Sequence, residues 1–220
     1  MKELLRPTAL SALLALAPLC APAQTPDTHR HRFGDAEKWA KVFDDPGRDA
    51  WQKPHEVIEA LALAPDAVVA DIGSGTGYFA ARLARFVPKG RVYGVDTEPG
   101  MVKYLAERAG REGLANLASI AGRPADPRLP VKVDLVLMVD VYHHIAGREE
   151  YFRRLRGSLR AGGRVAIIDF RPDSERGPPK RERIPPGRVK AEMGEAGYAA
   201  VKEHAFLPSQ YFLVFEPGRN

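Results

Sequence analysis

The chain has 220 residues, 45% of them hydrophobic and 28% charged, with a formal net charge of +5, a composition that suits one globular domain with a sizeable core. So mild a basic excess excludes a nucleic-acid reader that concentrates its charge in one strong patch. A single cysteine, Cys20, excludes a disulfide framework and a multi-thiolate metal site.

The first residues do not read as part of that domain. MKELLR carries Lys2 and Arg6, ALSALLALAPL is an 11-residue apolar segment, and Ala21-Pro22-Ala23 has the small-x-small pattern of a signal-peptidase site. This predicts a signal peptide over 1–23, cleaved after Ala23, and a periplasmic or secreted protein; retention of the leader would make it cytoplasmic. The apolar segment is shorter than the roughly 20 residues a spanning helix needs, so no stable membrane anchor is expected after cleavage. Leu19 argues against a lipid on Cys20, where a small residue normally precedes the cysteine. Cys20 would leave with the leader. Residues 24–34 are polar and aperiodic and read as a disordered tether, and 35–220 as the folded domain.

Within the domain, 35–45 and 48–63 space Trp39, Val42 and Phe43, then Val57, Ile58, Leu61 and Leu63, at helical intervals. Strands and helices then alternate: VVADI (68–72), a helix over about 77–86, RVYGVD (91–96), a helix over about 98–111, LASIA (117–121), VDLVLMV (133–139), a helix over about 148–159, and GRVAIIDF (163–170). Short continuous β-branched runs between amphipathic helices call for a parallel sheet covered on both faces, hence an α/β doubly wound domain. A helix over about 186–196 precedes AAVKEHAF and SQYFLVFE, joined across Leu207-Pro208 by too few residues for a crossover helix. The last two strands must therefore be antiparallel.

The sequence VVADIGSGTGYFA places Gly73, Gly75 and Gly77 between a strand and a helix. Glycines there permit positive φ and close ligand approach, and free N–H groups at a helix start favour a negative group, so a nucleotide-like ligand is implied. The spacing is G-x-G-x-G. The last glycine of a dinucleotide fingerprint would fall at Tyr78. Asp96 ends the second strand, where a carboxylate can accept both hydroxyls of an unphosphorylated ribose. VDVYHHI follows the fourth strand at the ligand end of the sheet. There Asp140, Tyr142, His143 and His144 are candidates for acid–base work, histidine titrating in the right range. Neighbours in an extended segment point opposite ways, so only one histidine is expected to meet substrate, and at this stage the two are equivalent. The bland alternative is that Tyr142 packs on a helix and a histidine caps the next one.

ADIGSGTGYFA, the acid in YGVDTEPGMV, VDLVLMVDVYHH and AGGRVAIIDF together resemble the class I S-adenosylmethionine-dependent methyltransferases, in particular the small-molecule group that includes quinone-biosynthesis enzymes. The resemblance covers about 50–216 and implies a Rossmann-like seven-stranded sheet, mostly parallel with a reversed C-terminal strand. It implies S-adenosyl-L-methionine as cofactor. Asp71 and the loop residues Gly73, Ser74, Gly75, Gly77 and Tyr78 would lie at its methionine end, Asp96 at the ribose, and Asp140 at the reaction centre. An acid near the adenine is common after the third strand. Here AGRPADPRLP offers Asp126 as a substitute, and the helix often found in this connection is missing. In such enzymes a sulfonium methyl passes to a small-molecule acceptor by direct displacement, with no metal required. Cysteine-dependent metalloid methylation is disfavoured, and no nucleic-acid partner is expected. The alternative is an exported nucleoside- or ligand-binding protein of this fold without turnover, a reading prompted by the cytoplasmic origin of the cofactor. Trp51, on a leading helix, is a candidate pocket wall. Residues 171–190, rich in Arg, Lys and Pro, read as a stiff solvated loop or as a cationic lid.

Overall fold

In the computed structural model, residue 1 and residues 35–218 are described. Apart from Met1, the leader expected over 1–23 and the tether over 24–34 lie outside the described residues, as does Cys20. No helix among the described residues is long and apolar enough to cross a membrane.

The elements run α1 (Ala36–Phe43), α2 (Asp49–Gln52), α3 (Pro54–Ala60), β1 (Val68–Ile72), α4 (Tyr78–Phe86), β2 (Arg91–Asp96), α5 (Pro99–Arg111) and β3 (Leu117–Ala121). They continue with β4 (Val133–Val139), α6 (Arg148–Leu155), β5 (Leu159–Phe170), α7 (Pro186–Glu195), β6 (Tyr198–His204) and β7 (Gln210–Pro217). Among the described residues one seven-stranded sheet has the order β3-β2-β1-β4-β5-β7-β6. β1 to β5 pair in parallel, and β7 runs antiparallel to both β5 and β6. The short Leu207-Pro208 link thus has the consequence read from it: β6 and β7 form a hairpin, with the reversed last strand inserted beside β5.

Both faces of the sheet are buried, which is why the central strands read as unbroken apolar runs. Leu135, Leu137 and Val139 of β4 join one core with Val57, Leu61 and Leu83. Val136 and Met138 face the other, with Tyr142, Phe152, Val189 and Phe215.

Three boundaries differ from the periodicity. The helix expected over 48–63 is broken: Lys53 adopts φ 46°, because the proline that follows disfavours the helical region for the residue before it. Pro54 then opens α3 at the first-turn position where its missing N–H costs nothing. Helix α6 stops at Leu155 and continues as a 3-10 turn over 156–158. β5 begins at Leu159 rather than 163, with a register shift opposite Val133/Leu135, where Gly162 takes φ +74° and allows the irregularity. Between β3 and β4 there is no helix, only a turn closed by an Arg123–Asp126 bridge.

Candidate active site

The crevice lies at the carboxyl ends of the strands, where open α/β sheets bind ligands. β1 ends in a loop laced to β2, since the N–H groups of Gly73 and Ser74 both donate to the Val95 carbonyl (2.8 and 3.0 Å). Gly73 has φ +72°, and a Cβ there would stand 2.3 Å from Val141 Cγ2. The chain leaving β4 thus presses directly on the loop leaving β1. Phe43 of α1 covers Gly75.

Asp71 is buried beneath this loop and accepts from the Ala80 N–H. Burial raises its carboxyl to about 7, against the Ala80 bond and Arg48, which lower it. The helix start is therefore not open as expected, because the protein's own carboxylate takes part of the first turn's N–H capacity. Asp96 is brought to the loop across 21 residues of sequence: Oδ2 accepts from the Gly75 N–H and Oδ1 from the Glu98 N–H, both 2.9 Å. Burial holds its pKa above the usual carboxylate value, the backbone bonds opposing. The hydroxyls of Ser74 and Thr76 are buried with no hydrogen-bond partner among the described residues. Unpaired buried donors of this kind fit a polar ligand bound at the loop.

Two residues expected at the cofactor are used elsewhere. Tyr78 lies between the guanidinium groups of Arg48 and Arg82, each 4.0 Å from its ring centroid, and its hydroxyl donates to Asp49. It fastens α2 to α4. Asp126 is exposed and its Oδ1 accepts from the Arg128 N–H at 2.7 Å, so its carboxylate is turned onto its own loop.

At the other end of the crevice Asp140 follows β4 with φ +60°, a left-handed conformation that Asp tolerates better than most residues. Its Oδ1 accepts from Gln210 Nε2 and its Oδ2 is 4.0 Å from Arg48 Nη2. Arg48 Nε donates to Gln52 Oε1 (2.8 Å), and Gln52 Nε2 to Gln210 Oε1 (2.7 Å). Four side chains thus close a ring joining the leading helices to β4 and β7, with Gln52 and Gln210 wholly buried. Burial first and Asp169 second push the Asp140 carboxyl up to about 7, while Arg48 and His143 pull it down.

VDVYHHI divides three ways because 142–144 form a 3-10 turn, in which successive side chains point roughly 120° apart. Tyr142 turns inward. It is fully buried, stacked on Phe152 with centroids 5.4 Å apart, and its hydroxyl donates to Glu192 Oε2 at 2.7 Å. The catalytic assignment is corrected for Tyr142, which is a core residue engaged by α6 and α7. Tyr142→Phe is expected to lower stability by about 0.5–1.5 kcal/mol in chemical denaturation without changing turnover.

His143 turns to β5, with Nδ1 2.8 and 3.0 Å from the Asp169 carboxylate oxygens, which also accept from the His143 and Phe170 N–H groups. Burial lowers the His143 pKa, but the Asp169 bond and charge, with Asp140 and Glu182, outweigh it and leave it above 6.5. His144 is exposed, its ring centroid 4.0 Å from that of His143.

Asp169, Arg48, Gln52 and Gln210 were not predicted. Asp169 had a legible signal, an acid ending the apolar run AIIDF. Arg48 and Gln52 share a helix face at i, i+4. Nothing local marks Gln210. Trp51 packs on Phe170 (centroids 5.7 Å) with the Arg176 guanidinium over it at 5.7 Å, beside the 171–185 segment. That segment is stapled from within: Arg183 donates to the carbonyls of Ser174 and Pro178 (2.5 and 2.8 Å), and Arg171 reaches those of Leu207 and Pro208. A hollow of about 740 Å³ lined by Arg153, Arg156, Arg160 and Glu216 opens at the opposite, amino end of the central strands and holds none of these groups.

Residues 70–165 match the model of a methyltransferase domain. The fold also superposes on a SAM-dependent methyltransferase from Aquifex aeolicus with a TM-score of 0.76 at 25% identity, covering 82% of this chain and 97% of that one. In matched segment and fold the chain is similar to the class I S-adenosylmethionine-dependent methyltransferases. The chain is also 32% identical to a trans-aconitate 2-methyltransferase of Rhodopseudomonas palustris, over 60% of its own length and 48% of that protein's. With an arsenite methyltransferase of Halobacterium salinarum it shares 30% identity, over 83% of this chain and 50% of the other. It thus spans about half the length of these relatives. S-adenosyl-L-methionine is the cofactor of such methyltransferases, and the Ser74 and Thr76 hydroxyls, unpartnered among the described residues, the glycine-rich loop and the Asp96 carboxylate fit such a ligand.

Proposed function

We propose that the chain is an S-adenosylmethionine-dependent methyltransferase for a small-molecule acceptor, with His143 as general base oriented by Asp169. The observation that supports this reading most is the buried His143–Asp169 pair at the ligand end of the sheet, between the turn after β4, the strand beside β1, and β5. When bound, S-adenosylmethionine supplies an electrophilic methyl group, so transfer is a single displacement that needs alignment more than covalent help. Gly73, Gly75 and Gly77 supply the positive-φ backbone that shapes the loop against Val141, Phe43 and Leu105, and Asp96 accepts from the ribose. Asp169 fixes His143 with Nδ1–H as donor, leaving Nε2 to take the acceptor's proton. Asp140, tied to Gln210 and near Arg48, borders the reaction centre.

Asp96→Ala is expected to weaken cofactor binding by about 1.5–3 kcal/mol, the scale for hydrogen bonds to a charged group, read by titration calorimetry. An unchanged affinity would contradict the ribose role. Label from a methyl-labelled donor appearing in products of a metabolite extract tests the activity, and donor binding without any product would favour the turnover-free binder. We also propose that residues 1–23 are a cleaved signal peptide ahead of a 24–34 tether and a 35–220 domain, and that the protein is exported. A periplasmic species whose intact mass begins at Gln24 would support this; a full-length cytoplasmic chain would refute it. With Cys20 lost in that leader, the mature chain has no thiol with which to hold a metalloid acceptor.

A further inference from the structure

Three carboxylates act on His143 from three elements: Asp169 on β5, hydrogen-bonded to it, Asp140 at the end of β4, and Glu182 from the 180–182 turn. Glu182 is a loop acid whose side chain is only 12% exposed. The Tyr211 hydroxyl, on the residue paired with Asp169 across the β5–β7 ladder, is buried with no hydrogen-bond partner among the described residues. The neighbouring cations are engaged, and Arg48 and Arg181 offset two of these three carboxylates, which leaves one unbalanced. Arg48 holds Gln52, the Phe43 carbonyl and the edge of Asp140, and Arg148 is bidentate to Glu192. Arg181 pairs with Glu182 at 3.3 Å. Arg171 and Arg183 are bonded to backbone carbonyls, and Arg176 lies over Trp51. Within the 171–190 segment, the group whose charge acts on His143 is the Glu182 carboxylate.

Such an arrangement discriminates by charge. Like-charged carboxylates near one another disfavour their own ionisation, and a cation placed among them relieves the repulsion, whereas another anion adds to it. We propose that the acceptor is a protonated amine received among Asp140, Asp169 and Glu182 beside His143, and that carboxylates are rejected. This rests on the methyltransferase reading above. The ammonium gives one proton to His143 Nε2, and the nitrogen lone pair so freed forms the N–C bond to the methyl carbon. The C–S bond breaks with its electron pair going to sulfur, the product leaves as a methylated ammonium, and His143 passes its proton to water.

The test uses the full chain with methyl-labelled S-adenosylmethionine and three fractions of a metabolite extract, one retained on a cation exchanger, one on an anion exchanger and one on neither. The proposal expects label in alkali-stable products of the cationic fraction, identified by mass as N-methylated amines. Measured at a pH above the His143 inflection, Glu182→Gln should raise the KM of the best such acceptor about tenfold with kcat changed less than about twofold, the pattern of a lost charge contact outside the chemical step. Label released as methanol by alkali, the mark of a methyl ester, or label in a neutral ether overturns the amine assignment and leaves the methyltransferase reading standing. An unchanged KM in Glu182→Gln also counts against it. No label in any of the three fractions, with the donor bound in calorimetry, overturns both.

Discussion

His143→Gln is expected to lower methyl transfer by about 10²- to 10⁴-fold, the contribution of a positioned base, while donor affinity stays unchanged, and His144→Gln is expected to keep nearly full turnover. The reason is geometric: the His143 ring is buried and held by the Asp169 carboxylate at 2.8 Å, whereas His144 is exposed. The pH dependence follows from the same contact. His143 can accept a proton only when neutral, and Asp169, Asp140 and Glu182 together outweigh burial and raise its pKa above 6.5. Turnover should therefore fall with decreasing pH through an inflection above 6.5. Asp169→Asn should move that inflection downward and lower the plateau, a shift that a purely structural partner would not produce. Stability runs the other way. A raised folded-state pKa contributes stability that is fully present below the unfolded value and is lost as pH rises through the folded one. The pair thus steadies the fold where the base is inactive. Equal rates in His143→Gln and wild type, or an inflection unmoved in Asp169→Asn, would remove His143 from the mechanism.

Gly73→Ala is expected to destabilise the protein by about 2–5 kcal/mol. A left-handed backbone costs a non-glycine residue about 1–2 kcal/mol, and overpacking a tight core site adds about 1–3 kcal/mol. Both apply at a position with φ +72° where the new Cβ would meet Val141 Cγ2 at 2.3 Å and Cγ1 at 3.0 Å. A chain of this size loses roughly 2–4 °C of melting temperature per kcal/mol, so the drop should exceed about 4 °C. Val141→Ala in the same chain should recover the overpacking part and leave the backbone part, a coupling that a double-mutant cycle isolates. A melting temperature unchanged in Gly73→Ala would show that the loop leaving β1 does not bear on the segment leaving β4. This contact joins the two ends of the crevice: Val141 sits between Asp140 and the 142–144 turn, so crowding at Gly73 would also disturb His143.

The sequence by itself determined the elements whose signals are local. Near-continuous apolar runs define β1 and β4 to the residue, because both faces of the sheet are buried at its centre and little polar alternation is left to blur the boundaries. G-x-G-x-G and Asp96 were legible because positive φ and a strand-terminal acid are properties of single positions. The Lys53 break was legible only in part, since Pro54 can either open a helix or interrupt one, and the choice depended on how α2 meets Tyr78 and Asp140. What only the tertiary structure decided are the pairings between distant positions. His143 and Asp169 are 26 residues apart, and Gln210 and Asp140 are 70 apart. Each pair meets because β5 lies beside β4 and β7 beside β5. Likewise, Tyr142, His143 and His144 are three consecutive polar residues in the sequence. A 3-10 turn sends one to the core, one to a buried acid and one to solvent, and that rotation is set by the packing of Phe152 and Glu192 from elsewhere in the chain.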